Sequence, residues 1–140
     1  GFVNVPWEIE TSNDYMDKLK IKAPNINTLC GNLSGGNQQK VILSKWLAAG
    51  VKLLILDEPT KGIDVNARAE FYALMNQFVE DGGCIIMISS DMPEVIKVAD
   101  RAYVMSEGRL TGELTREEIT EINLISLANP VTDGSDKQAQ

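Results

Sequence analysis

The sequence predicts an α/β layer fold with a mostly parallel sheet. Two short, wholly apolar runs, Leu53 to Leu56 and Cys84 to Ile88, have the length and the non-alternating character of strands covered on both faces. Segments of helical spacing stand before, between and after them, which is the order that right-handed crossovers between parallel strands require. With 44% hydrophobic and 24% charged residues in a chain of 140, there is material for one core. Two buried strands and a hairpin are fewer than a doubly wound sheet uses, so the chain is expected to be a partial layer fold from a larger domain.

Residues Gly1 to Cys30 are polar and weakly periodic, with Pro6 and Pro24 as breakers around a short helix from about Thr11 to Lys20. From Asn37 the spacing of Val41, Ile42, Lys45, Trp46 and Ala49 is helical, Ser34-Gly35-Gly36 is the entry, and Gly50 falls where a left-handed C′ residue belongs. Lys52 leads into the first apolar strand, closed by Asp57-Glu58-Pro59. Ala67, Phe71, Leu74, Met75 and Phe78 mark the next helix, which Asp81-Gly82-Gly83 ends. After the strand at Cys84, Asp91 is placed to N-cap a helix with Pro93 in its first turn and Glu94 three residues on. Arg101 to Ser106 and Arg109 to Leu114 flank Glu107-Gly108, a hairpin turn at a sheet edge. Thr115-Arg116-Glu117-Glu118 reads as the capping box of a last helix to about Ala128, and the polar stretch Pro130 to Gln140 as a frayed tail. Trp7, Trp46, Phe71 and Phe78 are expected to pack in the core or an interface, and Cys84 to be a buried small hydrophobe. Glu117, Glu118 and Glu121 are expected to form a solvated helix start.

Composition narrows the chemistry. Thirteen Lys+Arg against 20 Asp+Glu give a net charge of -7, and no basic block occurs, so nucleic acid is not an expected partner. No apolar run approaches the roughly 18 residues of a spanning helix, and no charged n-region followed by an apolar h-region opens the sequence. Two cysteines without metal-ligand spacing favour a reducing, cytoplasmic setting. The absence of histidine excludes His-based triads, zinc sites built on HExxH and a histidine base within these residues.

Two places remain. Asp57 and Glu58 follow a buried strand at the edge where open α/β sheets bind ligands. Mg²⁺ held through oxygen would neutralise Asp57, and Glu58 could orient or deprotonate a water; the alternative is a helix cap or a solvated loop. In Leu33-Ser34-Gly35-Gly36-Asn37-Gln38-Gln39, two glycines leave the first N–H groups of a helix approachable, and the Ser34 hydroxyl and the helix dipole add to an anion cradle. The alternative there is an ordinary Ser/Gly N-cap.

Their combination is specific. Leu-Ser-Gly-Gly, about twenty residues later Leu-Leu-Ile-Leu-Asp-Glu-Pro-Thr, then Gly62-Ile63-Asp64, then an apolar strand ending in Ser89-Ser90-Asp91, resembles the nucleotide-binding domain of ABC transporters over about Asn25 to Ala128. Leu33-Ser-Gly-Gly-Asn-Gln-Gln-Lys, Asp57-Glu-Pro-Thr-Lys-Gly-Ile-Asp-Val, Ser89-Ser-Asp-Met-Pro-Glu-Val and Asp100-Arg-Ala-Tyr-Val-Met-Ser-Glu-Gly look like the C-terminal cassette of the fused ATPases that drive monosaccharide import of the ribose, galactose and xylose type.

The resemblance implies the P-loop NTPase-like ABC ATPase fold, with residues 1–40 part of the helical signature subdomain, 41–114 the Walker B, D-loop and switch part of the ATPase core, and 115–140 a C-terminal helix and flexible tail. It implies ATP and Mg²⁺ as cofactors. Ser34, Gly35, Gly36, Asn37 and Gln38 match the signature motif, which in the family contacts the γ-phosphate of ATP on the opposite cassette; Asn37 departs from the usual glutamine. Asp57 matches the Walker B aspartate that holds Mg²⁺, Glu58 the catalytic glutamate, and Asp64 the D-loop aspartate that couples the paired sites, with Lys61-Gly62-Ile63 in place of the commoner Ser-Ala-Leu. Ser90 stands at the switch position, where most members carry histidine, which implies an asymmetric pair whose site here hydrolyses poorly. No Gly-x-x-x-x-Gly-Lys-Ser/Thr occurs, so the Walker A loop is expected upstream of these residues, which alone would be inert. The implied partners are a second cassette in the same polypeptide, a membrane permease and, indirectly, a sugar-binding protein, with the cassette on the cytoplasmic face. Competing readings are a soluble ABC protein of translation or DNA repair and a non-catalytic regulatory cassette.

Overall fold

The computed structural model describes residues 4–130; the expected frayed stretch beyond Pro130 lies outside them. The chain divides into two compact units, Gly1–Ile88 and Ser89–Gln140.

The first unit begins with helix α1, Val5–Lys18. It is longer than expected, because Pro6 opens it instead of breaking it: in the first turn a proline lacks only an N–H that has no intrahelical acceptor, and its fixed φ suits the helix. Asn4 caps this end by accepting from the Trp7 N–H at 3.3 Å. Helix α2, Gly35–Ala48, starts after the N-cap Ser34, and Gly50 at φ 68 supplies the left-handed residue expected behind it. Strand β1, Leu53–Asp57, leads to helix α3, Val65–Glu80, and strand β2, Cys84–Ile88, follows. Behind α3 the Gly83 N–H returns to the Phe78 carbonyl and the Gly82 N–H to that of Val79, a Schellman turn at Gly82 with φ 88.

β1 and β2 pair in parallel, with Leu53 opposite Cys84, Ile55 opposite Ile86 and Asp57 opposite Ile88. The parallel crossover was legible, but the two-sided burial was not. Leu53, Ile55, Ile86 and Ile88 are 50%, 65%, 52% and 52% exposed, and Cys84 is exposed as well, while Leu54 is buried. In a strand alternate residues face opposite sides. These five share one face, which the rest of the first unit leaves exposed, so an unbroken apolar run sits half in contact and half open. α2 packs on α3, and α3 on β2.

The second unit contains helix α4, Met92–Val98, strands β3, Arg101–Ser106, and β4, Arg109–Thr115, and helix α5, Glu121–Ala128. The antiparallel hairpin turns at Glu107 (φ 49) and Gly108 (φ 75), the paired left-handed residues of a type I′ turn. It forms its own two-stranded sheet and is not an edge of the parallel one. A bulge shifts the register between Val104 and Met105. Ala102 and Val104 of β3, Leu114 of β4, Ile119 between β4 and α5, and Leu124 of α5 form a closed core, joined by Val95 and Ile96 of α4. The capping box at Thr115 is present but opens only the 3-10 turn Arg116–Glu118. α5 then starts afresh at the N-cap Thr120, because Ile119, placed at ψ 89, leaves the helical path to enter the core. The Arg116 guanidinium donates to the Ile96 and Ala99 carbonyls, both at 2.7 Å, and so closes the C-terminal end of α4.

Candidate functional site

Glu58 follows β1 with φ 45, a left-handed conformation that a non-glycine residue adopts at a cost of about 1 kcal/mol or more. The reversal is held from both sides: the Glu58 N–H donates to the Ile88 carbonyl at 2.8 Å, continuing the ladder, and its carbonyl accepts from the Lys61 N–H at 3.1 Å. Asp57 is exposed, on the open face of the sheet, and Glu58 is half-buried. Among the described residues no group of three or more His, Cys, Asp or Glu side chains could hold a metal. A lone carboxylate at a strand end suits an ion such as Mg²⁺, which keeps most of its waters and shares phosphate ligands, and does not suit a protein cage.

From Glu58 the chain passes buried Pro59 and Thr60 to Gly62 (φ 76) and Asp64. Asp64 is the N-cap of α3, accepting from the Asn66 and Ala67 N–H groups at 3.1 and 3.0 Å. This loop lies against the start of α2. A Cβ on Gly35 would stand 3.6 Å from the Gly62 carbonyl oxygen, and one on Gly36 would stand 2.6 Å from the Ala67 Cβ and 3.4 Å from Ile63. The two glycines therefore differ in duty: exposed Gly35 borders the loop, and buried Gly36 lets α2 and α3 approach. Ser34 and Gly35 remain open to solvent at the positive end of α2.

Asn37 is turned inward along the same start. Its Oδ1 accepts from the Lys22 N–H at 2.9 Å and its Nδ2 donates to the Ser34 Oγ at 2.9 Å. Gln38 donates through Nε2 to the Leu33 carbonyl at 2.8 Å, and its own N–H goes to the Ser34 carbonyl. Ser90 is exposed in the second unit. Beside it the Ser89 hydroxyl donates to the carboxylate of Glu94, which is 3% exposed, and accepts from the Asp91 N–H at 3.0 Å; Asp91 caps Glu94 at 3.2 Å.

The first unit thus brings Ser34, Gly35, Gly36, Asn37, Gln38 and Asp64 into one small region and carries Asp57 and Glu58 on the same chain path. Sequence reasoning missed Lys40. It is 3% exposed and reaches the Glu70 carboxylate of α3 at 2.6 Å and the Lys20 carbonyl at 3.3 Å. Its hydrogen bond, then its charge, hold the Glu70 carboxyl below the ordinary carboxylate range against a small desolvation effect, with lesser help from Lys22 and Lys20. The available signal was position: Gly36, Lys40 and Leu43 fall on one helical stripe, where a charge needs a partner.

Solved ABC transporter cassettes have this fold. An ATP-binding cassette of an ABC transporter in its ADP conformation superposes with a TM-score of 0.73 at 22% identity, over 84% of this chain and 48% of that one. An inward-facing putative metal-chelate type ABC transporter gives 0.75 at 19% identity, over 91% and 50%. The family model for ABC transporters matches residues 7–61. A ribose import ATP-binding protein of Yersinia pestis bv. Antiqua (strain Antiqua) is 47% identical over 91% of this chain and 25% of its own length. A putative ribose/galactose/methyl galactoside import ATP-binding protein of Rhizobium etli is 55% identical over 91% and 24%. A xylose import ATP-binding protein of Moorella thermoacetica is 50% identical over 90% and 25%. Over most of its length the chain is similar to import ATP-binding proteins, and it spans about a quarter of the length of the curated relatives it matches. No helix among the described residues is long and apolar enough to cross a membrane.

Proposed function

We propose that these residues are the signature, Walker B, D-loop and switch part of an ATP-hydrolysing cassette that powers import of a simple sugar. The observation that carries the reading is the shared end of α2 and α3: the open Ser34-Gly35 helix start borders the loop that runs from Glu58 to Asp64. Similarity to ribose and xylose import ATP-binding proteins supports ribose- or xylose-like cargo.

In this reading residues 1–40 belong to the helical signature subdomain, 41–114 to the ATPase core, and 115–140 to the C-terminal helix and tail. Ser34 and the first N–H groups of α2 receive the terminal phosphate of ATP bound to a second cassette, Gln38 and Asn37 brace that start, and Asp64 joins the paired sites. Asp57 would hold Mg²⁺, which neutralises phosphate charge when bound. Glu58 orients the attacking water. The phosphate loop must come from outside these 140 residues, since none is in them. Ser90 favours a refinement: a hydroxyl is shorter than an imidazole and never cationic, so this cassette's own site turns over slowly while its signature completes its partner's. The cassette works on the cytoplasmic face against a permease that is fed by a sugar-binding protein.

The test is ATP hydrolysis and uptake of ribose and xylose by the full-length protein reconstituted with its permease. ATP-dependent uptake, with Glu58→Gln trapping nucleotide, supports the reading. Uptake that is independent of ATP, or no hydrolysis with the permease present, refutes it.

A further inference from the structure

We infer that Asn37 is a positioning residue, which turns the Ser34 hydroxyl into a hydrogen-bond donor aimed away from the helix. The inference rests on the reading above, in which Ser34 meets a phosphate. A backbone N–H can only donate, so the Lys22 N–H at 2.9 Å requires the oxygen of the Asn37 amide on its side. The amide NH₂ is thereby committed to the Ser34 Oγ, also at 2.9 Å. An oxygen that accepts from Nδ2 keeps its own proton for another acceptor, and Ser34 has none among the described residues. The hydroxyl is exposed at the positive end of a 14-residue helix. Phosphoryl oxygens can only accept, so a proton presented outward is the polarity such a ligand needs.

Glutamine, one methylene longer, is the commoner family residue at this position. Asparagine has the reach to span the Lys22 N–H and its own N-cap serine. The side chain therefore acts through Ser34 and does not touch nucleotide.

Asn37→Asp tests this almost isosterically. The carboxylate still accepts from the Lys22 N–H, so the loop stays tied, but the Ser34 hydroxyl must now donate inward and present a lone pair outward. In the full-length protein with its permease, Asn37→Asp is expected to lower ATPase kcat by about tenfold or more. Affinity for ADP, which lacks the terminal phosphate, and the thermal unfolding midpoint are expected to stay at wild-type values. Asn37→Ala removes the donor without adding an acceptor and is expected to lose less than Asn37→Asp. Ser34→Ala sets the floor: adding Asn37→Asp to it should change kcat by less than about twofold.

The inference is overturned if Asn37→Asp keeps wild-type kcat, if Asn37→Ala loses more, or if the aspartate costs its full factor in the Ser34→Ala background, where it would be acting directly by charge. Should Asn37→Asp lower the unfolding midpoint, the Ser34→Ala and Asn37→Ala cycle decides, additive losses overturning the inference and non-additive losses supporting it. Absence of ATP hydrolysis in the wild type would instead defeat the functional reading itself.

Discussion

The two units solve the same burial problem differently. The smaller one, from Ser89, closes its core on itself: one hairpin and two helices cover Ala102, Val104, Leu114, Ile119 and Leu124, and Arg116 ties the end of α4 down. The larger one, to Ile88, leaves the Leu53, Ile55, Ile86 and Ile88 face of its sheet open and spends its tight packing where α2 meets α3, beside the Ser34-Gly35 helix start. In the first, apolar residues measure stability; in the second, close contact and charge set the geometry of the site. Substitutions should separate the two.

The largest effect is expected in the closed core. Leu124→Ala removes a buried side chain and should destabilise the second unit by about 3 kcal/mol, read as loss of amide-exchange protection in β3 and β4. If protection in β1 and β2 fell equally, the two units would be one cooperative body.

Next comes Gly36→Ala. Its Cβ would meet the Ala67 Cβ at 2.6 Å, and two backbones must separate to admit it. Overpacking of this kind costs about 1 to 3 kcal/mol, against about 1 kcal/mol that alanine gains as a helix former. A net loss of about 1 kcal/mol in thermal unfolding is expected, with recovery on adding Ala67→Gly. Failure of the second glycine to restore stability would mean that Gly36 is kept for its backbone and not for the helix contact.

The half-buried Lys40–Glu70 ion pair ranks third. Glu70→Gln leaves the Lys40 ammonium with a neutral amide and the Lys20 carbonyl. Because the Glu70 side chain is 49% exposed, solvent screening reduces the loss to about 1 kcal/mol. The carboxyl is held below its unfolded value, so this stability is fully present above the ordinary carboxylate range and is lost as the pH falls through the lowered folded value. The gap between wild type and Glu70→Gln should shrink from pH 7 toward about pH 3. A gap that grew with acid would reverse the assigned sign.

The same contrast explains what could be read from the sequence. Signals that act within a few residues came through: the cap at Asp91, the Asp81-Gly82-Gly83 stop after α3, the Glu107-Gly108 turn and the parallel pairing of the two apolar runs. The roles proposed for Ser34, Gly35, Asp57, Glu58 and Asp64 rest on the spacing of their motifs along the chain. What failed depends on neighbours distant in sequence. Whether Cys84 is covered depends on a layer that the strand itself does not encode, the capping box at Thr115 opens one 3-10 turn because the core draws Ile119 inward, and Lys40 needs α3 to reveal its partner. The Asn37 amide likewise accepts from the Lys22 N–H, fifteen positions away, a contact its own stretch of chain does not announce.

The smallest effect tests the open face. Ile55 is 65% exposed, so Ile55→Thr should change the stability of the 140-residue chain by under about 0.5 kcal/mol, whereas Leu54→Ala, on the buried side of the same strand, should cost about 2 kcal/mol or more. Repeating Ile55→Thr in the full-length protein turns a null effect into a measurement. Residues beyond this chain that cover Ile55 would raise the cost to that of a buried hydrophobe, about 1 to 3 kcal/mol, because a hydroxyl would then enter an apolar contact. An unchanged cost would leave the face exposed there too. The β1 and β2 pairing would then have to hold Asp57 and Glu58 in place with packing from one side alone.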